Sequence, residues 1–277
     1  MTSPTPARHP SEPAGDERSR AADPHSLADR AASFERGADT YAQVRPSYPA
    51  EALRWLLAGR PRRVLDLGAG TGKLTEAALA VLDDAPEVVA VDPSSAMLDE
   101  LAARLPGVQT LRGTAEDLPL ADASVDAVLI GQAWHWFDPE RAAAEIARVL
   151  RPGGTLGVVW NQRDTGVDWV ARFGEILHRG DRLTPDATHH RPPGLGGEHA
   201  DTFTETEARA FPWSDRLPVS ALRTLAGTRS YLLTLAADER AALLGDVDNL
   251  TATHPQLAGR ATIDLPYVTH AYRTSRR

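Results

Sequence analysis

Residues 64–72, VLDLGAGTG, constrain the fold more than any other stretch of this chain. An apolar run long enough for one buried strand passes directly into glycines at 68, 70 and 72 and then into a helix-forming segment. Glycines at alternate positions let the backbone adopt positive φ and approach a ligand closely, while the following helix offers free N–H groups. A strand, a glycine turn and a helix make half of a βαβ unit, and the chain repeats that alternation. Strands are expected at 64–68, 88–92, 108–113, 125–131 and 155–161, with helices near 72–82, 95–104 and 139–149. Asp138 before Pro139 supplies an N-cap with proline at the first helical position. Arg151-Pro152-Gly153-Gly154 reads as a turn into the fifth strand. Continuous apolar strands of this kind belong to a mostly parallel sheet with helices on both faces, an α/β architecture of the Rossmann-like type.

The flanks read differently. Residues 1–30 hold five prolines among mixed charges, with little to bury, and are expected to be a disordered tail. Residues 31–60 carry apolar positions at helical spacing broken by the Pro46 to Pro49 corner, so two short helices form an N-terminal cap. Residues 61–277 form the main domain. Within it, a helix at 167–179 and the loop HHRPPGLGGEHAD interrupt the sheet, so 162–207 is read as a lid insertion. A strand at 208–214, helices at 219–227 and 237–253, and a last strand at 262–272 complete seven strands.

Composition removes whole classes of chemistry. No cysteine is present, which excludes disulfides, thiolate metal sites and cysteine nucleophiles. No apolar run approaches the roughly 20 residues of a membrane span. A formal charge of −8 gives no global positive field to hold nucleic acid. The N-terminal residues show no apolar core of a secretory signal, so a cytoplasmic location is expected. His189, His190, His199 and Asp201 lie in the Pro/Gly loop with loose spacing, which suits a solvated loop better than a metal site.

The glycine loop also discriminates among nucleotide-like ligands. A phosphate-binding P-loop needs G-x-x-x-x-G-K-[ST], but Leu67 sits where its first glycine belongs and Leu74 follows Lys73. The dinucleotide fingerprint needs glycine at 73, where Lys73 stands. Asp92 ends the second strand about twenty residues beyond the loop, where a carboxylate can accept both hydroxyls of a ribose.

With VLDLGAGTG, VVAVDPSSAML, GTAEDLPLADASVDAV and RVLRPGGTLGVV in that order, the chain from Phe34 onward resembles a class I S-adenosylmethionine (SAM)-dependent methyltransferase. YAQVRPSYP, QAWHWFD and VVWNQRD are similar to the trans-aconitate methyltransferase-like subgroup of small-molecule enzymes. The resemblance implies SAM as cofactor, S-adenosyl-L-homocysteine as product and a small-molecule acceptor, with no metal, nucleic-acid or membrane partner. A carboxylate or hydroxyl oxygen is the favoured acceptor atom, with nitrogen or carbon left open; the alternatives are a non-catalytic SAM-binding protein, or an enzyme acting on protein or RNA. Neither oligomeric state nor acceptor identity follows from it.

The resemblance further implies a site. Asp66, Gly68, Ala69 and Gly70 would meet the methionyl end and Asp92 the ribose. Pro93 and Met97 would flank the adenine, with Ala115, Glu116 and Asp117 at its edge. Tyr41 and Arg45 would clamp the SAM carboxylate, and Gln132 would line the same cavity. Trp134 and Trp136 would face the sulfonium, with His135 as a base should the acceptor need one. An anionic acceptor would call on arginines such as Arg163, Arg191, Arg223 or Arg229.

Overall fold

A computed structural model describes residues 46–83, 86–179, 201–227, 232 and 235–277. The apolar runs form the strands expected of them: β1 (Arg63–Leu67), β2 (Glu87–Asp92), β3 (Gln109–Arg112), β4 (Val125–Gly131), β5 (Leu150–Arg163), β6 (Glu207–Pro218) and β7 (Thr262–Ser275). They make one sheet in the order β3-β2-β1-β4-β5-β7-β6. The first five are parallel; β7 is antiparallel to β5 and to β6. Strand order reverses between β1 and β4, which opens a crevice at their carboxyl ends.

Helices cover both faces because the strand residues pointing to each face are mostly apolar. Val64, Val88, Ala127 and Leu129 meet α1 (Ala50–Leu56) and α2 (Lys73–Leu79) on one face. Ala69 and Ala90 seat Leu101 of α3 (Ser95–Arg104). On the other face Val89, Val128 and Ile130 meet α4 (Pro139–Val149), whose Asp138 side chain accepts the Glu140 and Arg141 N–H groups as the expected N-cap.

A second core stands apart. α5 (Asp168–His178), α6 (Ala221–Gly227) and α7 (Ala237–Thr253) bury Phe173, Leu222 and Val247 against Ile263, Leu265 and Tyr267 of β7. This is possible because β7 pairs with β5 only from Tyr267 onward, while its pairing with β6 begins at Thr262. The β6–β7 ribbon thus projects past the carboxyl end of β5 and carries the helices there.

Some boundaries differ from the expectation. The Arg-Pro-Gly-Gly segment is an irregularity inside β5 rather than a turn before it: Val125 faces Leu150 and Ala127 faces Thr155, so the extra residues bulge out at Gly153, φ 79°. β3 is shorter than 108–113, and β6 is longer than 208–214. The expected tail, the first cap helix and most of the 189–201 loop lie outside the described residues.

Candidate active site

The loop after β1 is shaped by its glycines. Gly68, Gly70 and Gly72 have φ of 71°, 53° and 84°, values that side-chain-bearing residues rarely adopt. A Cβ at Gly68 would stand 2.7 Å from the Ala133 methyl, and one at Gly72 2.7 Å from Leu101 Cγ. A Cβ at Gly70 would meet nothing within 4 Å among the described residues, so this residue borders space that they leave open. The Gly68 and Ala69 N–H groups donate to the Val91 carbonyl at 2.8 and 3.1 Å, which docks the loop on the end of β2.

Two buried carboxylates flank the loop. Asp66, 1% exposed, accepts the Thr75 hydroxyl at 2.5 Å on one oxygen; its Oδ1 is buried with no hydrogen-bond partner among the described residues. Burial pushes its pKa up to about 7, against the Thr75 hydrogen bond and with help from the nearby Asp92 charge. Asp92 accepts the Gly70 N–H and the Ser94 N–H, each at 2.9 Å. Burial raises its pKa too, while those two donors oppose the rise. Among the described residues neither carboxylate has a cationic side chain hydrogen-bonded to it, so the pair suits a ligand that brings positive charge. An orphaned buried acceptor beside an open glycine cradle and an oriented carboxylate at the end of β2 fits SAM, which carries an ammonium, a sulfonium and a ribose diol.

Most of the other expected residues lie on the segments that follow β2, β3 and β4. Met97 is buried in the first turn of α3, its N–H donating to the Ser94 Oγ cap at 3.4 Å, and Pro93 is exposed. Ala115 is buried, Asp117 is exposed, and one Glu116 oxygen accepts the Asp138 N–H at 2.9 Å, so Glu116 also ties this loop to the start of α4. Gln132 follows β4 with φ 59° and donates from Nε2 to the Asn161 carbonyl at 3.4 Å. A 3₁₀ turn, Trp134–Trp136, separates the aromatic string. Trp134 is 5% exposed and sits in the core with its ring edge-on to Phe137; Trp136 and His135 are half-buried, and the His135 ring lies 4.4 Å from Trp136 and 5.1 Å from Trp160. The site therefore brings His135 and Trp136 together but turns Trp134 into the core. Tyr41 and Arg45 lie outside the described residues.

Of the four arginines, Arg163 stacks over Phe173 at 5.1 Å and Arg223 holds Asp248 and the Leu244 carbonyl; Arg191 and Arg229 are outside the described residues. Sequence reasoning missed Arg148, which donates to the Leu118 and Leu120 carbonyls, Asp122 and Glu145, while Glu145 accepts the Leu118 N–H. These bonds fix the loop that carries residues 115–117. It also missed Asn161, which donates to the Ser47 carbonyl, and Tyr48, whose hydroxyl packs against Gly131. Among the described residues no group of three His, Asp or Glu is placed to hold a metal, and no helix is long and apolar enough to cross a membrane.

A doubly wound sheet with a glycine loop and two buried carboxylates at its switch point is an arrangement suited to a nucleoside-like ligand. Residues 65–158 match the methyltransferase domain family. An uncharacterized methyltransferase of Mycobacterium tuberculosis is 47% identical over 251 residues, covering 90% of this chain and 98% of that relative. A malonyl-[acyl-carrier protein] O-methyltransferase of Methylococcus capsulatus is 34% identical over 215 residues, covering 74% of this chain and 69% of the relative. A solved structure from Anaeromyxobacter dehalogenans, proposed to be a type II methyltransferase, superposes with a TM-score of 0.60 at 26% identity, over 84% of this chain and 97% of that one. The chain belongs to the class I SAM-dependent methyltransferases. It is an enzyme of that family, and SAM is its cofactor.

Proposed function

We propose that this enzyme transfers the SAM methyl group to an oxygen of a small-molecule acceptor, carboxylate or hydroxyl, in the cytoplasm and releases S-adenosyl-L-homocysteine. The observation that carries the methyl-donor side of the reading is Asp66: a fully buried carboxylate with one oxygen unsatisfied among the described residues, at the edge of a glycine loop that they leave open at Gly70. The Methylococcus relative is, by its name, an O-methyltransferase of malonyl-[acyl-carrier protein], which supports oxygen as the receiving atom and leaves the free or carrier-bound state of the acceptor to the experiment. The aromatic string and the YAQVRPSYP segment further support the trans-aconitate methyltransferase-like subgroup.

When bound, SAM supplies an electrophilic methyl on a sulfonium. The chain's own work is then alignment and exclusion of water. Asp66 and the loop N–H groups hold the methionyl end, and Asp92 the ribose. Met97 and residues 115–117 enclose the adenine. His135 and Trp136 face the transfer position, where the indole favours positive charge and the imidazole accepts a proton from a hydroxyl acceptor. A carboxylate acceptor needs no base. Such alignment contributes on the order of 7–11 kcal/mol to a displacement of this kind. Tyr41 and Arg45 remain the proposed clamp for the SAM carboxylate, and the segment 162–207 the proposed lid.

Incubation with methyl-labelled SAM and a metabolite extract tests the reading. The expected result is a labelled small molecule whose methyl is released by base as an ester or retained as an ether. Label found only on protein or RNA overturns it.

A further inference from the structure

Between the second core and the cofactor crevice runs a chain of hydrogen bonds with a single possible direction. Trp213 Nε1–H, on β6, donates to Thr269 Oγ1 on β7 at 2.8 Å. The Thr269 hydroxyl donates to Asn161 Oδ1, at the end of β5, at 2.5 Å. Asn161 Nδ2–H then donates to the Ser47 carbonyl at 2.8 Å. An indole only donates and a carbonyl only accepts, so the orientation of the threonine hydroxyl and of the amide between them is fixed. Thr269 is fully buried and Asn161 nearly so. A side chain at 161 must both donate and accept, which an amide does and a carboxylate or an alkyl group does not.

The end of this relay lies at the crevice. Ser47 leads into Tyr48, whose hydroxyl would be 2.6 Å from a Cβ at Gly131, the last residue of β4. Gln132, the next residue, returns a hydrogen bond to the Asn161 carbonyl at 3.4 Å. Ala133 in turn limits Gly68. The Ser47–Tyr48 segment is thus pressed onto the carboxyl ends of β4 and β5, beside the glycine loop. With the ribose at Asp92 and the adenine beyond it toward β3, the ligand's amino-acid end points the other way, toward β1 and β4, where Asp66 Oδ1 waits. That placement rests on the cofactor reading above.

We infer that Asn161 is a positioning residue: through the Ser47 carbonyl it holds the Ser47–Tyr48 segment over the methionyl end of the cofactor and leaves the nucleoside end unaffected. The amide does not touch the ligand. Its role is to set the height of this segment above β4, with Thr269 and Trp213 fixing the amide from the side of the second core.

Calorimetry with two ligands tests this. S-adenosyl-L-homocysteine has the amino-acid end; 5′-deoxy-5′-methylthioadenosine has the nucleoside but lacks that end. Asn161→Asp places an acceptor against the Ser47 carbonyl, and Thr269→Val removes the donor that orients the amide; Thr269→Ser keeps it. Asn161→Asp and Thr269→Val are expected to weaken S-adenosyl-L-homocysteine tenfold or more with less than a twofold change for methylthioadenosine, and Thr269→Ser is expected to match the wild type. Equal weakening of both ligands, or unchanged homocysteine-ligand affinity, overturns the inference. If Asn161→Asp does not fold, the Thr269→Val and Thr269→Ser pair decides by the same ratio. A wild-type protein that binds neither ligand overturns the cofactor reading itself, and this inference with it.

Discussion

The Gly70 N–H donates to the Asp92 carboxylate across 2.9 Å, so the tip of the loop after β1 is tied to the residue that ends β2. One side chain thereby shapes the cradle and is the proposed holder of the ribose. Asp92→Ala is expected to weaken SAM binding by roughly 1.5–3 kcal/mol, the range for losing hydrogen bonds to a charged group. Asp92→Asn should fall between, because an amide oxygen still accepts one of the two N–H groups. Calorimetric affinities check both, and an unchanged Asp92→Ala affinity places the ribose elsewhere.

Glycines 68 and 70 should separate folding from binding. Alanine at 68 meets the Ala133 methyl at 2.7 Å in addition to its positive φ, so a large loss of stability is expected. Alanine at 70 has open space and bears only the left-handed backbone strain, roughly 1–2 kcal/mol. Its methyl group enters the ligand's volume instead. Gly70→Ala should therefore melt close to the wild type in the absence of ligand yet gain little from added SAM, as thermal melts with and without ligand will read.

Asp66 gives a pH signature of definite sign. Its folded pKa of about 7 lies above the ordinary 3.8, so between these values the native protein keeps a proton that the unfolded chain has released. The resulting stability is complete below about 3.8 and is lost as pH rises through about 7. Asp66→Asn should flatten this part of the profile of melting temperature against pH for the ligand-free protein. A ligand ammonium favours the ionised form, so SAM binding should release protons near pH 6.5, seen as a dependence of calorimetric heat on the buffer's ionisation enthalpy; no such dependence would remove Asp66 from the methionyl subsite.

His135 distinguishes acceptor classes. If the methyl goes to a hydroxyl, His135→Gln should lower kcat by about 10²–10⁴-fold with KM for SAM little changed. If it goes to a carboxylate, kcat should fall less than tenfold, because only the packing against Trp136 and Trp160 is altered. Steady-state kinetics on the identified acceptor decide between them.

How much of this was legible in the sequence follows from the range of each interaction. The strands and the glycine loop come from local patterns: apolar runs of strand length, and glycine where positive φ is needed. The Asp138 cap was legible for the same reason. Arg151 to Gly154 misled because its residues favour a turn, and only pairing with β4 shows that they bulge within a strand. The aromatic string could not tell Trp134 from Trp136, because the tight 3₁₀ turn decides which indole enters the core. Glu116 is expected as a ligand contact, and its bond to Asp138 was not legible because it spans a loop and a helix start. Asn161 showed as a polar residue ending an apolar strand, within VVWNQRD; its partners Ser47 and Thr269 are distant in sequence and meet through the sheet order.

The projecting β6–β7 ribbon has a consequence for how such an enzyme diversifies. Helices α5 to α7 bury their apolar faces on the overhang of β7, whereas the cofactor loop draws its support from β1, β2, β4 and the helices beside them. Substitutions inside the overhanging cluster can accumulate without disturbing the nucleoside cradle. The overhang thus uncouples the two halves of the molecule: the second core can be rebuilt without moving the strand ends that carry the glycine loop.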